Sequence, residues 1–214
     1  MDTALLTLVA RAVDQLEAIV ATVTPADLNR PTPCPSMPVG ELVGHVVGGL
    51  SGFADVAEGR PLLFGPGPDV PGDPHGRDAA LRTAADRMLA GFGAPGMLER
   101  TFDMPWGPTT GAQLMGFELI ELLTHGWDLA RAMGHDPAIV PDLAEAALAG
   151  AQMWVDDSVR NPQMFGPEVP VDRGASALER LVGFLGRDPS WSPTAALTAG
   201  ASGGSAPLPV SRPG

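Results

Sequence analysis

Apolar residues recur at steps of three and four along most of the 214-residue chain, the period of helices that lay one face on a core. Leu5, Leu6, Val9, Val13, Leu16, Val20 and Val23 form such a stripe over residues 2–24, with Arg11, Asp14 and Glu17 among the solvated positions. Leu42, Val43, Val46, Val47, Leu50 and Phe53 form a second over about residues 38–58, which Gly59 is suited to end. Leu81, Ala84, Met88 and Leu89 mark a third over residues 78–91, and two shorter stripes cover residues 141–155 (Leu143, Ala147, Leu148, Met153, Trp154) and 176–185 (Leu178, Leu181, Val182, Phe184). Between them, residues 32–38, 60–77 and 94–108 are broken by proline and glycine and read as loops or irregular crossovers. No alternation of period two stands out. The pattern predicts an all-α fold: an up-down four-helix bundle with a long crossover and extra C-terminal helices. From residue 192 the chain turns to Gly, Ser, Pro and Ala, which predicts a disordered tail (192–214) after one helical domain (1–191).

The helix predicted for residues 110–134 departs from this plan. Thr110 and Gln113 have capping-box spacing, and Gly134 suits the turn that closes a helix. Its apolar residues point in nearly every direction, the mark of a buried helix. Yet Glu118, Glu121, His125 and Asp128 share one narrow stripe. Buried carboxylates are costly unless each meets a cation or a metal. Arg131 can serve Asp128 at the i,i+3 spacing, whereas nothing local neutralises Glu118 or Glu121. Glu121 and His125, one turn apart, make a two-point metal clamp.

A third ligand is available from the second helix. His45 lies beside its apolar stripe and is followed at three, four and seven residues by Gly48, Gly49 and Gly52. Glycine costs a helix about 1 kcal/mol relative to alanine, so three in a line imply either a helix packed very closely there or a pocket over the imidazole. His45, Glu121 and His125 together offer two imidazoles and one carboxylate. Three protein ligands leave a position open, which is the arrangement of a catalytic rather than a structural site. Zn is the first expectation, and Ni, Fe and Mn accept the same donors. Glu41 is the other acid close to His45, but its place in the first turn suits the helix dipole, so Glu121 is preferred. Asp128 and Glu118 are expected to orient ligands or to move protons.

Composition narrows the chemistry. The 13 basic residues are all arginine against 25 acidic ones, a formal charge of −12 that repels nucleic acid and anionic membranes and favours cations. There is no lysine and no tyrosine, which excludes lysine Schiff-base and tyrosine acid chemistry. The single cysteine, Cys34, excludes an intrachain disulfide and a multi-cysteine zinc site, and with no basic neighbour in sequence it reads as a buried loop residue. His75, in the long loop, and His135, past the end of the clamp helix, are expected to be solvated. The N-terminus lacks the basic segment of a signal peptide and no apolar run is long enough to cross a membrane, so the expected location is cytoplasmic.

Three stretches carry a family likeness: TPCPSMPVGELVGHVVGG at residues 32–49, ELLTHGWDLARAMG at 121–134 and FGPEVPVDRGASALERLVGFLGRDPSW at 165–191. Together they resemble the actinobacterial metal-binding branch of the mycothiol-dependent maleylpyruvate isomerase family, within the DinB-like superfamily. The likeness covers most of the chain up to Trp191. It implies a DinB-like bundle, His45, Glu121 and His125 as metal ligands, and a low-molecular-weight thiol bound at the metal. The chain departs from the family at Met37, where a tryptophan is usual, and does not carry the full C-terminal domain of the isomerases. The function so implied is thiol-dependent S-transfer or isomerisation of a small electrophile, with mycothiol or a similar thiol as cosubstrate, by a monomer or homodimer. Two other readings fit the same residues: a metal-binding or sensor protein without turnover, and a hydrolase that activates water on its metal.

Overall fold

The computed structural model describes residues 2–34, 37–63, 67–68, 71–137, 139–157, 159–160 and 165–193; the tail expected from residue 192 lies almost wholly outside them. Six helices dominate: α1 (Asp2–Val20), α2 (Val39–Ala57), α3 (Pro74–Phe92), α4 (Gly111–Ala132), α5 (Pro141–Trp154) and α6 (Ala177–Phe184). α1 and α2 each pack against both α3 and α4, which makes the bundle, while α5 rests on α4 and α6 on α5. The apolar stripes read from the sequence meet at the centre, where Val9, Val13 and Leu16 of α1, Leu42, Val46 and Leu50 of α2, Leu81 and Met88 of α3, and Leu119, Leu122 and Leu123 of α4 are all buried. No helix among the described residues is long and apolar enough to cross a membrane.

Local chemistry sets the helix ends. α1 stops at Val20 rather than at Thr24, because Thr24 precedes Pro25 and is extended (φ −99°, ψ 165°), as residues before proline tend to be. α3 begins four residues earlier than its apolar stripe, since Asp73 accepts from the Gly76 N–H at 2.8 Å and Pro74 suits the first turn. His75 therefore sits on a helix rather than in a loop, and is exposed as expected. α4 has the capping box that its sequence announces: Gln113 N–H donates to Thr110 Oγ1 at 3.3 Å and Thr110 N–H to Gln113 Oε1 at 2.7 Å. Gly134 closes it with φ +76°.

One element corrects the sequence reading. Between α3 and α4 lies an antiparallel hairpin, β1 (Thr101–Met104) with β2 (Gly107–Thr110), paired from Thr101↔Thr110 to Met104↔Gly107. Phe102 and Met104 point inward while Thr101 and Asp103 are exposed, an alternation too short to register beside Pro105 and Pro108.

The glycines of α2 admit a loop rather than another helix. A Cβ on Gly44 would come within 2.8 Å of the Pro68 carbonyl oxygen, one on Gly48 within 3.2 Å of Gly67 Cα, and one on Gly52 within 2.8 Å of Leu62 Cδ1. Leu62, Gly67 and Pro68 thus lie flush on the helix. Gly49 faces elsewhere, toward the carboxylate of Glu118.

Candidate metal centre

Adjacent helices bring three side chains to one point. His45 comes from the middle of α2, and Glu121 and His125 lie one turn apart on α4. Glu121 Oε2 stands 3.5 Å from His45 Nε2 and 3.2 Å from His125 Nε2, and the two rings meet edge to face with centroids 5.0 Å apart. Side-chain exposure falls from 41% at His45 through 21% at Glu121 to 6% at His125. The cluster therefore runs from a partly exposed edge at His45 to a buried end at His125.

Behind the buried end lies an ion-paired chain. His125 Nδ1 faces Asp128 Oδ2 at 3.0 Å, and the same oxygen accepts from Arg187 Nη2 at 3.2 Å. Asp128 is completely buried. Sequence spacing assigns Asp128 to Arg131, but Arg131 sits at the edge of α4 over the Trp127 ring and donates to the carbonyls of Pro189 and Trp191. Arg187, 59 residues away, takes its place. A partner so distant leaves no local pattern, and only its position just after the helix-ending Gly186 hints that it turns inward.

Cys34 lies in the same neighbourhood. Thr32 Oγ1 accepts from its N–H at 3.1 Å and donates to the Met37 carbonyl at 2.7 Å, tying Thr32 to both residues. Cys34 is buried as expected, with ligand atoms of His125 and Asp128 within 4.8 Å. It does have a basic neighbour in space: its charge interaction is felt at Arg187. Glu41 is exposed and is not part of either metal-capable group.

Burial and charge divide the titratable groups sharply. Burial works to raise Glu121, but the hydrogen bonds and charges of His125 and His45 outweigh it and hold this carboxyl well below the usual range. Burial works to lower His125, but Asp128 and Glu121 raise it to about 9. Glu118, 3% exposed and given no hydrogen bond by the described residues, is pushed up to about 8 by burial first and by the charge of Glu121 second. The stripe therefore holds one firmly ionised acid beside one that keeps its proton.

These residues suit a divalent metal. Metal–ligand bonds of about 2.0–2.1 Å at tetrahedral angles put donor atoms about 3.4 Å apart, and the two Glu121–histidine separations are 3.5 and 3.2 Å. All three donors lie within 4.8 Å of one another. Asp128 stands where an outer carboxylate would orient a histidine ligand.

The family model of the mycothiol maleylpyruvate isomerase N-terminal domain matches residues 9–130, a span that holds His45, Glu121, His125 and Asp128. The chain belongs to this family. Two uncharacterized proteins of Mycobacterium tuberculosis, Rv0738 of strain H37Rv and MT0763 of strain CDC 1551, are each 35% identical to it over 178 residues, which is 83% of this chain and 94% of theirs. Two crystal structures of the mycothiol-dependent maleylpyruvate isomerase, one of them a histidine-to-alanine mutant, share its fold. The mutant superposes with a TM-score of 0.58 at 12% identity over 70% of this chain and 68% of its own. The other gives 0.55 at 13% identity over 70% and 67%. The family match stops at residue 130, so Arg187 lies beyond it.

Proposed function

We propose that this chain is a metal-dependent enzyme of thiol chemistry, in which His45, Glu121 and His125 hold a divalent cation, zinc first among them. A low-molecular-weight thiol such as mycothiol is its cosubstrate and a small electrophile its substrate, in S-transfer or isomerisation. The observation that carries this reading is the seat of Glu121 Oε2 between two imidazole nitrogens, where the buried polar stripe of α4 opens to solvent past His45. The family name and the thiol-dependent isomerase of like fold support the choice of thiol.

When bound, the cation supplies Lewis acidity that deprotonates a coordinating thiol at neutral pH. The side chains of this protein do the rest. His45, half exposed, forms the mouth and limits approach to one side. Asp128 holds the His125 ring through Nδ1, which aims Nε2 at Glu121. Arg187 cancels the charge of Asp128, so Glu121 alone offsets a dication and the residual positive charge favours an anionic guest such as a thiolate. Glu118, buried one turn from Glu121 and pushed up to about 8 in the metal-free protein, is the acid assigned to lend a proton to the atom that gains charge when a thiol adds to a double bond, and to take it back as the thiol leaves. Asp128 is completely buried, and its Oδ2 is held by His125 and Arg187, so it is assigned to positioning rather than to that traffic. A cytoplasmic location, where small thiols are kept reduced, suits the chemistry.

The test is metal analysis joined to an activity screen. Purified protein should carry stoichiometric metal and turn over maleylpyruvate or a related electrophile only when both metal and mycothiol are supplied. Stoichiometric metal whose removal collapses the thermal midpoint, with no turnover of any thiol and electrophile pair, would instead make this a metal-stabilised binding protein.

A further inference from the structure

We propose that Arg187 is a positioning residue for the metal centre, acting through Asp128 on His125. This rests on the metal reading above and extends it to a residue outside the matched family span.

The end of α6 is shaped to deliver that side chain. The Gly186 N–H donates to the Gly183 carbonyl at 3.0 Å and the Arg187 N–H to the Val182 carbonyl at 2.8 Å, the paired bonds of a Schellman ending. Gly186 has φ +85°, and a Cβ there would come within 2.6 Å of Gly166 Cα, so both backbone and space demand glycine. The turn sends Arg187 inward until it is 8% exposed. Downstream, Arg131 on α4 grips the carbonyls of Pro189 and Trp191. The segment that carries Arg187 is thus fastened on both sides.

Among the described residues Arg187 is the one guanidinium that meets Asp128. Nη2 donates to Asp128 Oδ2 at 3.2 Å and Nη1 to the Leu185 carbonyl at 3.1 Å, while the same Oδ2 stands 3.0 Å from His125 Nδ1. One oxygen therefore couples the guanidinium to the imidazole. A His125 bound to a metal through Nε2 is a neutral ring, and Arg187 is then the cation that keeps Asp128 compensated in its buried place. Without Arg187 the carboxylate is left buried and unpaired, a costly state that it relieves by turning toward other donors. The ring then loses the contact that aims it at Glu121.

Cobalt affinity tests this, measured by chelator competition and by the visible band of the bound ion in the full chain. Arg187→Met should bind about 10- to 100-fold more weakly than wild type, as losses of outer partners do. Asp128→Asn should lose a similar factor. The double variant should lose little more than the worse single one, because both changes break one chain of contacts. Arg187→Lys should recover part of the loss. Should Arg187→Met lose its helical circular dichroism, Arg187→Gln, which removes the charge but keeps a donor, replaces it in the same cycle and under the same criterion. An Arg187→Met protein within twofold of wild type, or losses that multiply in the double variant, overturns the proposal. A wild type that binds no cobalt overturns the metal centre itself, which is a different failure.

Discussion

Asp128 Oδ2 lies 3.0 Å from His125 Nδ1, so the nitrogen that the ring turns toward Glu121 is Nε2, at 3.2 Å. In the metal-free protein burial works to lower His125, but its two acidic partners raise it to about 9, so the ring is an imidazolium at neutral pH. A metal that binds through Nε2 must displace that proton. Affinity should therefore rise with pH, by about tenfold per pH unit below about 9 for the one proton displaced. Zinc competition titrations between about pH 6 and 8 measure the slope, and a flat profile would remove His125 from the ligand set.

Substitution separates the ligands from the acids around them. His45→Ala, Glu121→Ala and His125→Ala should each bring metal content from near one ion per chain to near none, as read by elemental analysis. Glu41→Ala should keep it, because that side chain is exposed and apart from the cluster. Retention of metal in Glu121→Ala but not in Glu41→Ala would exchange the roles of the two acids.

Glu118 makes the metal-free fold sensitive to alkali. Its carboxyl rises from 4.5 to about 8, chiefly through burial, so between those values the folded chain binds a proton that the unfolded chain has released. The sign follows from linkage: this group's contribution is full below about pH 4.5, declines as pH rises toward about 8, and is flat above. The whole effect is on the order of 4–5 kcal/mol for a shift of this size. Glu118→Gln keeps the shape and removes the titration. It should stabilise the metal-free protein at pH 8.5 by roughly a few kcal/mol in urea unfolding and matter little near pH 4.5. Equal effects at both pH values would mean that Glu118 is ionised in the fold.

Much of this architecture is written locally. The period of Leu42, Val46 and Leu50, the Thr110–Gln113 box and the turn at Gly134 are each decided within a few residues, and the helices follow them. The meeting of His45 with Glu121 and His125 was legible for a related reason. Acids on an apolar helix need cations, and a half-exposed histidine on the neighbouring helix is one that the fold supplies. What local pattern could not carry is the long-range pairing. Arg131 has the right spacing for Asp128, but it lies round the helix from the buried stripe and reaches the C-terminal segment, so Arg187 fills the gap. The hairpin was hidden because four-residue strands flanked by prolines leave only two inward residues to see.

Gly44 of α2 and Gly116 of α4 form a matched pair of helix-interior glycines. Gly116, in the interior of α4, has nothing within 4 Å of where a Cβ would stand. Gly116→Ala should therefore stabilise by about 0.5–1 kcal/mol through helix propensity alone. Gly44, beside His45 on α2, gains the same propensity but meets the Pro68 carbonyl oxygen at 2.8 Å. That oxygen belongs to backbone packed flush on the helix, since a Cβ on Gly67 would come within 2.1 Å of Gly44 O, and neither partner can yield alone. Overpacking of this kind costs about 1–3 kcal/mol, which exceeds the propensity gain. Gly44→Ala should thus lower the thermal midpoint while Gly116→Ala raises it, each by about 2–4 °C per kcal/mol in a chain of this size. A rise in both would mean that Gly67 and Pro68 do not rest on α2 beside His45 in solution.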